Sequence, residues 1–255
     1  MVRLQFMVIV LLLTSCSDQQ NQLNVPEQTS DPVYLKVDYL YLSATDQSDA
    51  KTDYLVSKLD DQLDREIIKE WSLYKVIAGD PDNSHNYVAI YQVDQFGDMD
   101  ELLSDESDEN SPEIRFSELW QRDHLISPDD QQNPGGNYLT INYFDTRDGT
   151  GEHEKMEVDF WGAIHEIRID LDILNSWGMY TLLYPGGVAL DYAYATIDFY
   201  DEPADMRESV GLELAEQAHT ELTENELTEY FQRTADSRTG YKSELWMKVD
   251  GSYGN

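Results

Sequence analysis

One tetrapeptide restricts the possible folds more than any other feature of the chain. Ser117-Glu118-Leu119-Trp120 recurs letter for letter as Ser243-Glu244-Leu245-Trp246. Four further matches precede it in the same order. YLKVDYL (34–40) pairs with YLTINYF (138–144), and the helical stripe Leu55, Leu59, Leu63, Ile67 pairs with Phe160, Ile164, Ile167, Leu171. Trp71-Ser-Leu-Tyr pairs with Trp177-Gly-Met-Tyr, and YVAIYQV (87–93) with YATIDFY (194–200). The offsets are 104 at the first strand, 106 at the tryptophan, 107 at the third strand and 126 at the last. They rise steadily along the chain, as small insertions would make them, so one unit has been written twice.

Each copy reads as strand, helix, two strands, helix, strand. In the first, residues 34–42 alternate, with Leu35, Val37 and Tyr39 on one face, the pattern of a half-buried strand. Ser48 or Asp49 caps the helix that follows. Strands are expected at Trp71–Ile77, Tyr87–Val93 and 114–120, with the turn-rich AGDPDNSHN making a hairpin. A short helical turn with Met99, Leu102 and Leu103 takes the second helix's place. The second copy gains there: Pro203 is expected to open a helix carrying Met206, Val210 and Leu214, and Thr223–Glu226 forms a capping box for another. This is the α+β, ferredoxin-like order, with helices on one face of an antiparallel sheet. The bare faces of two tandem βαββαβ modules can cover each other sheet-to-sheet, closing an intrachain barrel with no free edges. Alternation then sends Leu119 and Leu245 toward the helices. Glu118, Glu244 and the tryptophans beside them turn toward the barrel interior or the solvent, in a structural role at the module interface.

The boundaries follow: signal peptide 1–15, tether 16–32, module 1 over 33–126 with a reduced second helix, linker 127–136, and module 2 over 137–250. Arg3 and the apolar run Phe6–Leu13 are too short to span a bilayer and fit a cleaved export signal. Leu13-Thr14-Ser15-Cys16 resembles a bacterial lipobox, which implies a diacylglyceryl thioether on Cys16 and anchoring to a membrane. By resemblance to the sorting rule of enteric bacteria, Ser17 in place of Asp directs the lipoprotein to the outer membrane. Cys16 is the single cysteine, so an intrachain disulfide framework is excluded. The polar stretch Ser17–Asp31 reads as a flexible tether.

With 51 Asp+Glu against 17 Lys+Arg the formal net charge is −34. Nucleic acid is excluded as a partner, since no basic patch exists to release its counterions. A hydrophobic fraction of 40% with 17 Tyr and 5 Trp is ample for packed cores, so the acids belong on the surface.

Element order, the W-x-x-I-H-x-x-R…W pattern at Trp161, Ile164, His165, Arg168 and Trp177, and the terminal S-E-L-W strand together resemble the dimeric α/β-barrel superfamily, over residues 34–125 and 137–248. That superfamily includes antibiotic-type monooxygenases, haem-degrading enzymes, chlorite-dismutase-like proteins and muconolactone isomerases, so the resemblance does not fix a reaction. It implies a pocket between helices and sheet. Trp161, His165, Arg168 and Trp177 are its expected lining in module 2, with His165 and Arg168 the candidates for acid–base work or, for His165, haem ligation. The competing reading makes His165 a packing residue, with Arg168 paired to Asp172 or Glu166. In the first copy Asp60 falls near the place of His165, and Leu63 or Asp64 near that of Arg168, so any site is single. No metal site is expected: Asp80–Ser84 begins like a calcium loop but has His85 where glycine is needed, and the histidines lack zinc spacing. The Asp145, Asp148, Glu152 loop, with Gly149 and Gly151, fits a cation cradle, and a turn with solvated acids explains it as well. The function expected is a lipid-anchored protein binding a small, partly apolar ligand in module 2. The alternative is a cofactor-independent monooxygenase-like or haem-binding enzyme using His165.

Overall fold

A computed structural model of the chain describes residues 32–43, 49–79, 84–93, 111–128, 135–146, 151–185, 190–207 and 211–253. The signal peptide, Cys16, the tether, Ser48, the calcium-loop-like Asp80–Asn83, the helical turn at Met99–Leu103, Asp148 and Val210 lie outside them. The strands and helices described all lie in one compact unit, Pro32–Asn255. Its strands are β1 (Val33–Tyr41), β2 (Glu70–Ala78), β3 (Tyr87–Val93), β4 (Glu113–Ile126), β5 (Tyr138–Thr146), β6 (Ser176–Tyr184), β7 (Tyr194–Tyr200) and β8 (Arg238–Tyr253). They form a closed barrel in the order β1-β3-β2-β8-β5-β7-β6-β4. Each half is therefore the same four-stranded sheet, 4-1-3-2 and 8-5-7-6, and β2–β8 and β4–β6 are the antiparallel seams between them. Two tandem ferredoxin-like modules thus make one intrachain dimeric α/β barrel.

The seams explain why β4 continues to Ile126, beyond its expected end at Trp120: Leu119–Ile126 pairs with Trp177–Tyr184 of β6. Side chains alternate as the sheet demands. Leu35, Val37 and Tyr39 of β1 and Leu139, Ile141 and Tyr143 of β5 point inward, where they meet Trp120 and Trp246. On the outer face of module 1, α1 (Asp49–Asp64) lays Leu55 and Leu59 over Trp71, Leu73 and Val93. Ile67 falls past the end of this helix, and Ile68 is the buried residue there.

The matching helix of module 2 runs in three consecutive segments: α2 (Glu152–Lys155), a π-helical stretch (Met156–Trp161) and α3 (Gly162–Asp170). Phe160 and Ile164 are buried as expected, but Leu171 is 52% exposed because it follows the last turn. Both helices end alike. Glu66 (φ 59°) and Asp172 (φ 56°) are left-handed, and the amides of Ile67 and Ile173 close onto the carbonyls of Gln62 and Arg168. That is the Schellman closure, and it fixes the alignment of the copies: Arg168 corresponds to Gln62, and His165 to Leu59. The expected partners, Asp60 and Leu63 or Asp64, are one to two residues off.

Pro203 does not open a continuous helix. Asp205–Arg207 is a 3₁₀ turn, and α4 (Leu212–Ala218) begins after it. The capping box at α5 (Glu224–Ser237) does form: Thr223 N donates to Glu226 Oε2 at 2.8 Å, and Glu226 N to Thr223 Oγ1 at 3.4 Å. These helices pack Leu214, Leu227 and Phe231 onto Phe160 and Ile164.

Candidate functional site

The structure brings His165, Arg168 and Trp177 together under α3. The His165 ring stacks on Trp177, with centroids 4.9 Å apart and planes 16° apart. Arg168 Nη1 lies 3.1 Å from His165 Nδ1. A guanidinium can only donate, so Nδ1 accepts and the imidazole proton sits on Nε2. Burial, reinforced by the neighbouring Arg168 charge, pushes the His165 pKa down to about 3. Arg168 pairs with neither Asp172 nor Glu166. Its Nη2 donates to the Tyr200 hydroxyl at 3.2 Å, that hydroxyl donates to Asp198 Oδ2 at 3.1 Å, and Arg168 Nη1 is 3.8 Å from Asp198. Burial raises the Asp198 carboxyl, with Arg168 and Tyr200 opposing. One donor is left over: Arg168 Nε is buried and has no hydrogen-bond partner among the described residues. Trp161 stands at the edge of this group. Its centroid is 6.3 Å from that of His165, its Nε1 donates to Thr234 Oγ1 at 3.1 Å, and it packs edge-on against Phe231 of α5. In module 1 no histidine or arginine occupies these places; Trp71 Nε1 instead donates to Asp60 Oδ1 at 3.1 Å.

A second polar cluster fills one end of the barrel, where the sequence suggested only a structural role. Glu118 and Glu244 both point inward and are buried. Each accepts from the indole two residues on, Trp120 Nε1 at 2.9 Å and Trp246 Nε1 at 2.8 Å. Of their remaining partners, Tyr192 and His85 come from the opposite module. Glu118 accepts from Tyr39 at 2.7 Å and from Tyr192. Glu244 lies 3.1 Å from His85 Nε2 and accepts from Lys242 Nζ at 2.8 Å. The Tyr39 and Tyr143 hydroxyls, 104 positions apart in the chain, meet at 2.9 Å. His85 and Tyr192 hold equivalent places, each two residues before the matched Tyr87 and Tyr194, and so do Phe116 and Lys242, each two residues before its glutamate.

The frame is thus two-fold and its charge is not. Burial raises the Glu118 carboxyl, and the bonds from Tyr192, Tyr39 and Trp120 only partly offset this. Burial acts on Glu244 in the same sense, but the His85 bond and the Lys242 ammonium outweigh it and hold the carboxyl at about 2. The duplicated S-E-L-W was the available sequence signal for the two carboxylates. Nothing in the spacing of Tyr39, His85, Tyr192 and Lys242 announced that they converge. Between this cluster and the opposite mouth lies a narrow apolar gap, lined by Leu35, Val37, Trp120, Ile141, Tyr180 and Trp246, with room for roughly one water molecule.

No group of three or more His, Cys, Asp or Glu able to hold a metal ion occurs among the described residues. His165 does not fit an axial haem ligand in this arrangement. Coordination through Nε2 would place the imidazole proton on Nδ1, facing the Arg168 donor, and Trp177 covers one ring face.

No protein-family profile matches the chain, and no curated protein matches it by sequence. Solved structures do match in fold. An anthrone oxidase-like protein aligns over 89% of this chain and 95% of its own at 10% identity, with a TM-score of 0.56. A haem-binding protein from Thermus thermophilus aligns over 87% and 92% at 10% identity, TM-score 0.51. A dye-decolorizing peroxidase from Bacteroides thetaiotaomicron aligns over 86% and 93% at 9% identity, TM-score 0.51. The chain shares the dimeric α/β-barrel fold with these proteins, over nearly their whole length.

Proposed function

We propose that this dimeric α/β-barrel chain is a lipid-anchored binding protein of the bacterial cell envelope, which holds a small, partly apolar anion beneath α3 of its second module without turning it over. The observation that carries this reading is the buried Arg168, whose Nε–H has no partner among the described residues although its other nitrogens are engaged. An unpaired buried donor is costly, by about 1–3 kcal/mol, and a carboxylate or phenolate would satisfy it. Trp177, Tyr200 and the neutral His165 offer that ligand aromatic and weakly polar walls. The preceding π-helical stretch supports the assignment, because such insertions are frequent at functional sites.

Binding is favoured over proton transfer because a histidine with a pKa of about 3 is a poor base at neutral pH. Titration with benzoate and salicylate tests the reading through quenching of Trp177 fluorescence. Saturable quenching that weakens at least tenfold in Arg168→Lys is expected; equal affinity in the variant refutes the site.

The alternative is a cofactor-independent oxygenase or haem-binding enzyme using His165, and it draws support from the fold shared with an anthrone oxidase-like protein, a haem-binding protein and a dye-decolorizing peroxidase. A measurable rate of oxygen consumption on an anthrone, lost in His165→Ala, would replace the binding reading. A Soret shift with haemin that depends on His165 would establish the haem version. The lipid anchor is tested by Cys16→Ala, which should release the chain from the membrane fraction.

A further inference from the structure

The ammonium of Lys242 sits in surroundings that recognise organic cations elsewhere in protein chemistry. Its Nζ lies 4.5 Å from the ring centroid of Tyr143, 5.8 Å from that of Tyr192 and 5.9 Å from that of Tyr39. Glu244 Oε1 completes the set at 2.8 Å. Three aromatic rings and a carboxylate around one ammonium make an aromatic cage. The fold does not require a cation there. At the equivalent place in the other module, Phe116 stacks on Tyr39 with centroids 4.1 Å apart, so an uncharged side chain fills the same corner of the barrel.

The position is also within reach of solvent. The Lys242 side chain is 13% exposed, and its neighbour Tyr241, which contacts Tyr192 at 5.5 Å, is half exposed. Lys242 hangs on a flexible four-carbon stem. Two buried carboxylates, Glu118 and Glu244, face this one ammonium, and the whole chain carries a formal charge of −34. Such a field concentrates small cations at the surface.

We propose that this end of the barrel is a binding site for a small alkylammonium ligand, with Lys242 as its exchangeable internal occupant. The ligand ammonium takes the place between Tyr39, Tyr143, Tyr192 and Glu244 while the lysine swings out to solvent. The site is separate from the Arg168 group and does not depend on it. A free amine and a lysine of another protein share this chemistry. With only 13% of the Lys242 side chain exposed, the site admits a free amine rather than a lysine carried on another folded protein.

The test uses n-butylammonium chloride as the probe, against sodium chloride at equal ionic strength, with tyrosine difference absorbance as the readout. Lys242→Ala should bind the probe saturably and at least tenfold more tightly than the wild-type chain, and adding Tyr143→Leu should abolish that binding. A Lys242→Ala protein that folds and does not distinguish butylammonium from sodium overturns the proposal. Preference for N-acetyl-lysine methylamide over butylammonium overturns the assignment to a free amine. A wild-type measurement needs no variant: with lysines carrying 13C-methyl groups, the ring-shifted Lys242 signal should move to the free-lysine position as butylammonium is added. A signal that stays in place shows a permanent structural lysine and ends the proposal.

Discussion

Glu244→Gln and Glu118→Gln put the same amide at equivalent positions of the two modules, and the structure requires them to act in opposite senses. Glu244 is held at about 2 against an ordinary value of 4.5. A carboxyl depressed in the folded state stabilises at every pH above its unfolded value, and that contribution is lost as pH falls through the folded one. The difference of about 2.5 pH units corresponds to about 3 kcal/mol, present at pH 7 and vanishing between pH 4.5 and 2. The amide also leaves Lys242 and His85 without their charged acceptor. For a domain of this size, 3 kcal/mol lowers the melting temperature by about 6–12 °C.

Glu118 is raised instead, so its ionised form is an expense to the fold at neutral pH and its replacement should leave stability unchanged or increase it. Thermal melts followed by far-ultraviolet circular dichroism, at pH 7 and at pH 2.5, decide the matter. The gap between Glu244→Gln and wild type should be large at pH 7 and small at pH 2.5. Equal shifts in the two variants, or a gap independent of pH, would refute the asymmetric assignment of charge.

Three further outcomes follow from other places in the fold. Glu70, at the opposite mouth of the barrel, has a buried Oε2 without a partner among the described residues, and burial raises it to about 7 despite Arg122 and Lys248. Wild-type stability should therefore fall as pH rises from 4.5 to 7, and Glu70→Gln should remove that slope and gain about 3 kcal/mol at pH 8, as read from urea unfolding midpoints. The His165 ring proton resonances should not titrate between pH 5 and 8; a midpoint near 6.5 by NMR would disprove its burial against Arg168. Asp172→Gly should raise stability by roughly 0.5–1 kcal/mol, because the residue sits at φ 56°, where a Cβ is unfavourable.

The architecture was legible because the repeat carries it. Five matched segments in one order imply two like sheets, and a sheet with helices on one face needs cover on the other. β3 and β7 fall where the matched heptapeptides place them. The failures are local. Ile67 and Leu171 continue a four-residue rhythm past helices that end at a left-handed residue, and a rhythm does not report where the backbone turns. Pro203 offers a helix start, but the chain takes a 3₁₀ turn first. Around His165 the residue types and helical spacing sufficed to find the group. Its partners did not follow, because Asp198 and Tyr200 lie on β7, and only the sheet brings them to α3. The barrel-end cluster was harder still. Its members come from β1, β4, β5, β8 and two hairpins, and a charge count places acids outside, whereas Glu118 and Glu244 are inside.

Covalent continuity between the halves has a consequence for what this interior can become. Two identical chains related by a rotation axis must give both glutamates the same neighbours, so any change that pulls one proton affinity down pulls its twin down too. Joining the halves in a single polypeptide removes that obligation. Lysine could replace an aromatic ring on one side alone, and histidine and tyrosine could settle in mirrored corners. The ancestral symmetry survives in the strands, while the chemistry at their centre has been free to polarise.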